Sequence, residues 1–137
     1  MLEALHDRFA SDARVTIVAH NLNDPLPALG LFHSVVSSFA IHHVPHDRKR
    51  HLCQEIFDLL TPRGVFCNLE HVASPTIDLH HEFLSKLDLR PGKEDPSKKL
   101  LDVETQLCWL REIGFENVDC HWKWSELALL AGSKPSP

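Results

Sequence analysis

Short apolar, β-branched runs alternate with amphipathic stretches along most of this chain, and that alternation constrains its fold more than any other feature. Arg14 to Ala19 (RVTIVA), Ser34 to Phe39 (SVVSSF) and Val65 to Glu70 (VFCNLE) read as strands. Between the last two, Pro45 to Leu60 reads as a helix. Leu52, Cys53, Ile56, Phe57, Leu59 and Leu60 share one face of it, and Arg48, Lys49 and Arg50 lie outside that face. Pro45 suits a first helical turn, where a missing N–H costs little. Thr61-Pro62-Arg63-Gly64 ends the helix and turns the chain.

The flanking segments follow the same logic. Residues 2 to 10 place Leu2, Leu5 and Phe9 on a short helical stripe, and Asn23, Asp24, Pro25, Pro27 and Gly30 mark a loop. Thr76 is a cap for a helix that turns Ile77, Leu79, Phe83, Leu84 and Leu87 inward. Arg90 to Lys99 is a polar loop. A further helix starts near Asp102, carries Val103, Leu107 and Leu110, and stops at Ile113-Gly114-Phe115, with Gly in the left-handed cap and Phe folding back. Asn117 to Trp124 alternates, placing Val118, Cys120, Trp122 and Trp124 on one face. With Leu127 to Ala131 it forms an antiparallel hairpin across Ser125-Glu126. Trp109, Trp122 and Trp124 read as core or hairpin packing. Strands alternating with helices predict an α/β fold: a mostly parallel sheet with flanking helices and a C-terminal antiparallel hairpin.

Composition narrows the function. The 137 residues suffice for a single domain, 1–137. A net charge of −5 argues against nucleic acid or an anionic membrane as partner. No apolar run reaches the length of a bilayer span. Cys53, Cys67, Cys108 and Cys120 include no C-x-x-C pair and read as reduced thiols of a cytoplasmic protein. Eleven histidines are unusual at this length. His42, His43 and His46 form H-H-x-x-H, which raises a His-rich metal-binding domain as one alternative. Pro45 interrupts a continuous helix across that cluster, so no metal site is assigned. His80 and His81 read as a solvated helix face.

Three further stretches carry a family resemblance: FHSVVSSFAIHHV (Phe32 to Val44), KRHLCQEIFDLLTPRGVFCNLEHV (Lys49 to Val72) and QLCWLREIGFENVDCHWKW (Gln106 to Trp124). In this order they resemble the later part of a class I S-adenosylmethionine (SAM) methyltransferase, a Rossmann-like family. The resemblance covers the chain from Arg14 onward. It implies SAM as cofactor and methyl transfer to a small-molecule acceptor. It places Asn21 and Leu22 beside the adenine, and Ser37, Ser38, Phe39 and Ala40 beside the methionine end.

The departures from that family are specific. The five glycines, Gly30, Gly64, Gly92, Gly114 and Gly132, form no G-x-G, so the glycine-rich loop that approaches the cofactor is absent. The acid that binds the ribose hydroxyls has no counterpart. Asn21 stands where an acid often reads the adenine amine, and its carbonyl can accept that hydrogen bond without charge. Phe32-His33 replaces a Phe-Asp, with His33 read as an exposed loop residue. The chain thus resembles the family minus its opening βαβ unit, about 30 residues or more. The resemblance thus implies a truncated Rossmann-like domain, either a fragment or a reduced homologue.

Two strands of the family's sheet would lie between Arg14–Ala19 and Ser34–Phe39. Without them, strand 34–39 has an unpaired edge, which invites pairing. Either Arg14–Ala19 closes the gap or the edge joins a second copy in a homodimer. A non-catalytic assembly module using that edge is the main rival to an enzyme.

Methyl transfer needs positioning and, for many acceptors, a proton acceptor. His42 and His43, in the loop after strand 34–39, are the catalytic candidates because imidazole titrates near working pH. The alternative role for one of them is packing under the loop and capping the next helix. Glu70 and His71 end a parallel strand at its carboxyl edge, where ligands gather, and are candidates for substrate contact.

Overall fold

The computed structural model describes residues 1–137. The chain runs α1 (Leu2–Phe9), β1 (Phe32–Ser38), a 3-10 turn (Ile41–His43), α2 (His46–Leu59), β2 (Leu60–His71), α3 (Ile77–Lys86), α4 (Val103–Ile113), β3 (Glu116–Trp124) and β4 (Leu127–Ser133). One sheet has the order β1-β2-β4-β3. β1 and β2 are parallel, whereas β2–β4 and β3–β4 are antiparallel. The α/β class, the flanking helices and the terminal hairpin stand as the sequence indicated, and the sheet is mixed.

The strand expected at Arg14–Ala19 does not form; residues 15–20 are irregular, with Val15 39% and Val18 50% exposed. Strand preference reflects packing against neighbouring strands. No strand of the sheet lies beside this run, so it stays outside. β1 is therefore an edge strand with one free side. α1 likewise buries none of its residues.

The core forms where α2, α4 and the sheet meet. Leu52, Ile56, Leu60, Phe66, Leu110 and Phe115 are buried together with Ile41. Gly114 takes φ +119 as the left-handed cap of α4, and its N–H donates to Leu110 and Arg111 carbonyls. Phe115 then folds back edge-on to Phe57, with ring centroids 4.9 Å apart. Thr76 and Asp102 cap α3 and α4 by accepting from the Leu79 and Thr105 amides.

Four local expectations are corrected. Thr61-Pro62-Arg63-Gly64 lies within β2 as an irregularity, so that Phe32 pairs with Leu60 but Ser34 with Val65. A Cβ at Gly64 would sit 2.8 Å from the Thr61 carbonyl oxygen, which accounts for glycine there. On α3 only Phe83 and Leu84 are buried, while Ile77, Leu79 and Leu87 remain exposed. Trp122 and Trp124 are nearly half exposed. Lys49, read as outside the apolar face of α2, is buried.

Candidate active site

The site is built at the carboxyl ends of β1 and β2, where parallel strands deliver their loops to one edge. β1 ends at Ser38. Phe39 turns with φ 50, its amide donating to the Leu69 carbonyl on β2 at 2.8 Å. The chain then makes the 3-10 turn that carries His42 and His43.

His42 is buried, and its Nδ1 lies 2.8 Å from Oε1 of Glu70, itself only 1% exposed. An ionised carboxylate only accepts, so this contact makes Nδ1 the donor and leaves Nε2 with the lone pair. Glu70 also accepts from Asn68 Nδ2 and from the His71 amide. Burial pulls the His42 pKa down, against the opposing pull of Glu70. Glu70 therefore lies beneath His42, where it orients a ring and is not placed on a cavity wall. Lys49 lies on the same side, its ammonium donating to the Lys99 carbonyl, and burial lowers it to about 8 against the attraction of Glu70.

A second carboxylate–imidazole pair follows directly. His71 Nε2 lies 2.7 Å from Glu126 Oε2, and Glu126 also holds Ser74 Oγ and His80 Nδ1 at 2.7 and 2.5 Å. Burial works to raise the Glu126 carboxyl, but these three donors together hold it below its ordinary value. Burial lowers His71, against Glu126. The rings of His43, His42 and His71 form a row, with centroid separations of 4.1 and 5.8 Å.

Segment 97–100 straps this row in place. His43 Nδ1 meets Ser97 Oγ at 3.0 Å, the Lys99 amide donates to the His42 carbonyl at 2.6 Å, and His46 Nε2 donates to the Leu100 carbonyl at 3.2 Å. The three side chains of the H-H-x-x-H cluster thus take three separate partners. No three His, Cys, Asp or Glu side chains converge on a point that would hold a metal ion. His80 is drawn into the Glu126 network and is not part of a solvated face, whereas His81 is exposed.

The cofactor-side residues come from two distant segments. A cavity of about 650 Å³ is shared by Asn21, Leu22, Ala40 and His43. Leu22, Ser37, Ser38 and Ala40 line a neighbouring apolar groove of about 470 Å³ beside β1. Phe39 lines neither and is 43% exposed. Arg48 ties the loop down: it donates to the Leu22 and Asp24 carbonyls and grips Glu55 with two bonds at 2.7 and 2.9 Å, while Glu55 accepts from the Leu26 amide. The Glu55 bonds raise the Arg48 pKa and lower that of Glu55.

Of the residues singled out from sequence, Asn21, Leu22, Ala40 and His43 share one cavity, Leu22, Ser37, Ser38 and Ala40 line its neighbour, Phe39 lines neither, and Glu70 lies beneath His42 in the row that leads to His71. Sequence reasoning missed Glu126, Lys49, Asn68, Ser97 and His80. Nothing local marks the polar 90–102 segment as a wall, and an acid in a tight turn gives no sign of burial.

The fold is class I methyltransferase-like. No protein-family model and no curated protein matches the sequence. Solved structures do. An O-methyltransferase family protein from Burkholderia thailandensis superposes with a TM-score of 0.71 at 16% identity, covering 98% of this chain and 40% of that one. A protein from Bordetella parapertussis described as possibly exported gives a TM-score of 0.75 at 16% identity over 98% and 50%. The N-methyltransferase NodS of Bradyrhizobium japonicum, solved with S-adenosylhomocysteine, gives 0.64 at 11% identity over 98% and 62%. The chain spans less than two thirds of each. No helix is long and apolar enough to cross a membrane.

Proposed function

We propose that this chain acts in SAM-dependent methyl transfer to a small-molecule acceptor. The observation that carries the reading is the junction of the Asn21–Leu22 loop, Ala40 and His43 in one cavity, next to the buried Glu70–His42 pair. That cavity is open to solvent, and its volume of about 650 Å³ is large enough for a small molecule, against roughly 300–1,000 Å³ for enclosed sites.

The residues fit the cofactor in part. Leu22 and Ala40 offer apolar walls. Asn21 Oδ1 already accepts from the Asn23 amide and Nδ2 at 3.0 Å each, so its own Nδ2 is what it offers an adenine nitrogen. That differs from the carbonyl contact expected from sequence. No carboxylate lines the cavity to take ribose hydroxyls. SAM when bound supplies an electrophilic methyl group on sulfur. The imidazole row supplies the proton acceptor, with Glu70 holding His42 in the tautomer that leaves Nε2 free. Arg48 and Glu55 hold the Asn21–Leu22 loop against α2.

Titration calorimetry with SAM and with S-adenosylhomocysteine tests this reading. Heat that is lost in Asn21→Leu and reduced in Ala40→Trp supports it; no heat at millimolar ligand removes it.

The free side of β1 favours a second reading, assembly with another copy as a homodimer. Val36, within β1, is 74% exposed. Unpaired strand edges template pairing.

A further inference from the structure

Between the Leu89 amide, which donates to the Leu84 carbonyl, and the Lys99 amide, which donates to the His42 carbonyl, the chain forms neither helix nor strand. Its polar bonds there are mostly internal. The Lys93 amide donates to the Arg90 carbonyl, the Lys98 amide to the Asp95 carbonyl, and the Ser97 amide and hydroxyl to Asp95 Oδ1. Only Glu94 and Ser97 bond to the rest of the molecule, and each bonds to an imidazole. Glu94 Oε1 lies 2.8 Å from His80 Nε2, and Ser97 Oγ lies 3.0 Å from His43 Nδ1. Through Glu94, Asp95 and Lys98, segment 90–98 helps to wall a cavity of about 170 Å³ that His71, His80 and Phe83 also line.

The two anchors respond differently to protons. The Ser97 hydroxyl gives its one proton to Asp95, so it accepts from His43 Nδ1–H. His43 supplies that donor both as the neutral Nδ1–H tautomer and as the cation. His80 instead meets a carboxylate at each nitrogen, Glu126 at Nδ1 and Glu94 at Nε2. Carboxylates only accept, so both nitrogens donate and the ring is an imidazolium. A neutral ring keeps one donor. Glu126 is fully buried and has no water to replace a lost donor, whereas the Glu94 side chain is 28% exposed. The proton therefore leaves Nε2, whose lone pair then faces the Glu94 carboxylate.

We propose that segment 90–98 is a flap over this cavity, closed while His80 bridges Glu126 and Glu94 as an imidazolium and opened when the ring becomes neutral. Glu94 then turns to solvent, and Ser97 is left as the single polar anchor. The flap is independent of the methyl-transfer reading. The two carboxylates raise the His80 pKa above the ordinary 6.5, so the flap is closed at and below that pH and opens on the alkaline side. The other titratable groups around the ring are Glu126 from the hairpin turn, His71 from β2, Glu94, Asp95 and Lys98 from the flap, and His81 on α3 itself. Burial holds His71 below 6.5, so it is neutral where His80 titrates. Lys49 titrates at about 8, but it donates to the Lys99 carbonyl outside the flap and still has an N–H to donate as the amine.

The test compares trypsin cleavage after Lys93 and Lys98 in the full chain with cleavage of a free peptide of residues 88–101, at a series of pH values from 5.5 to 8.5. The ratio cancels the protease's own pH dependence. It is expected to rise about tenfold across that range, with a midpoint that coincides with the ¹⁵N titration of the His80 ring. Glu94→Gln, at a part-exposed position, is expected to be cleaved at pH 5.5 as fast as wild type at pH 8.5 and to show no step. Ser97→Ala is expected to speed cleavage at every pH and leave the midpoint in place. A flat ratio in wild type, a step that survives in Glu94→Gln, or a step that appears equally after Lys123 in the hairpin overturns the flap.

Discussion

Glu70 and His42 form a buried pair, Oε1 to Nδ1 at 2.8 Å, across 28 residues of sequence. The two side chains are 1% and 5% exposed, so solvent cannot replace either partner. Hydrogen bonds to an ionised group contribute about 1.5–3 kcal/mol net. Glu70→Gln is expected to cost about 2 kcal/mol of stability, and His42→Gln a comparable amount. Urea denaturation of both single variants and the double variant checks this: a coupling near zero in the double-mutant cycle contradicts the pairing.

His80 gives a pH dependence with a defined sign. Its bonds to Glu126 and Glu94 raise its folded-state pKa above the ordinary 6.5. Its contribution is therefore fully present below pH 6.5 and is lost as pH rises through the folded pKa. The stability gap between wild type and His80→Gln is expected to be larger at pH 5.5 than at pH 8.5. Unfolding midpoints at the two values measure it.

Lys49 predicts a trend at higher pH. Its folded pKa is about 8 against 10.5 for the free side chain. Between those values the unfolded chain holds the proton and the folded chain has released it, so this group makes stability rise with pH there. Relative to Lys49→Met, wild type is expected to gain stability from pH 8 to pH 10.5. A difference that stays flat across that window contradicts the burial of the ammonium.

Gly114 is required by its backbone. At φ +119 a side chain is strained, and a Cβ would touch Phe57 at 3.4 Å. Gly114→Ala is expected to lose about 1–2 kcal/mol, read as a lower midpoint in urea with an unchanged slope.

The β1 edge gives a test of assembly. Val36→Lys adds charge to an exposed position of the edge strand. Light scattering on the wild-type chain is expected to give a dimer mass and on Val36→Lys a monomer mass. A wild-type monomer at high micromolar concentration removes the second reading.

The order of α2, β2, α3, α4 and the terminal hairpin, the caps at Thr76 and Gly114, and the tight β3–β4 turn were legible in the sequence because each depends on residues within one or two turns of one another. So was the gathering of His42, Glu70 and His71 at one sheet edge, since parallel strands send their carboxyl ends the same way. Tertiary structure alone decided which polar groups are buried. Glu126 and Lys49 look like solvated surface residues in sequence and acquire their roles only from His71, His80 and the Lys99 carbonyl, partners up to 55 residues away. It also decided that RVTIVA is not a strand. The run has the composition of one, but strand formation is a property of a pair, and this structure places no partner beside it. Local propensity is written in the chain, whereas desolvation and pairing depend on what the rest of the fold brings alongside.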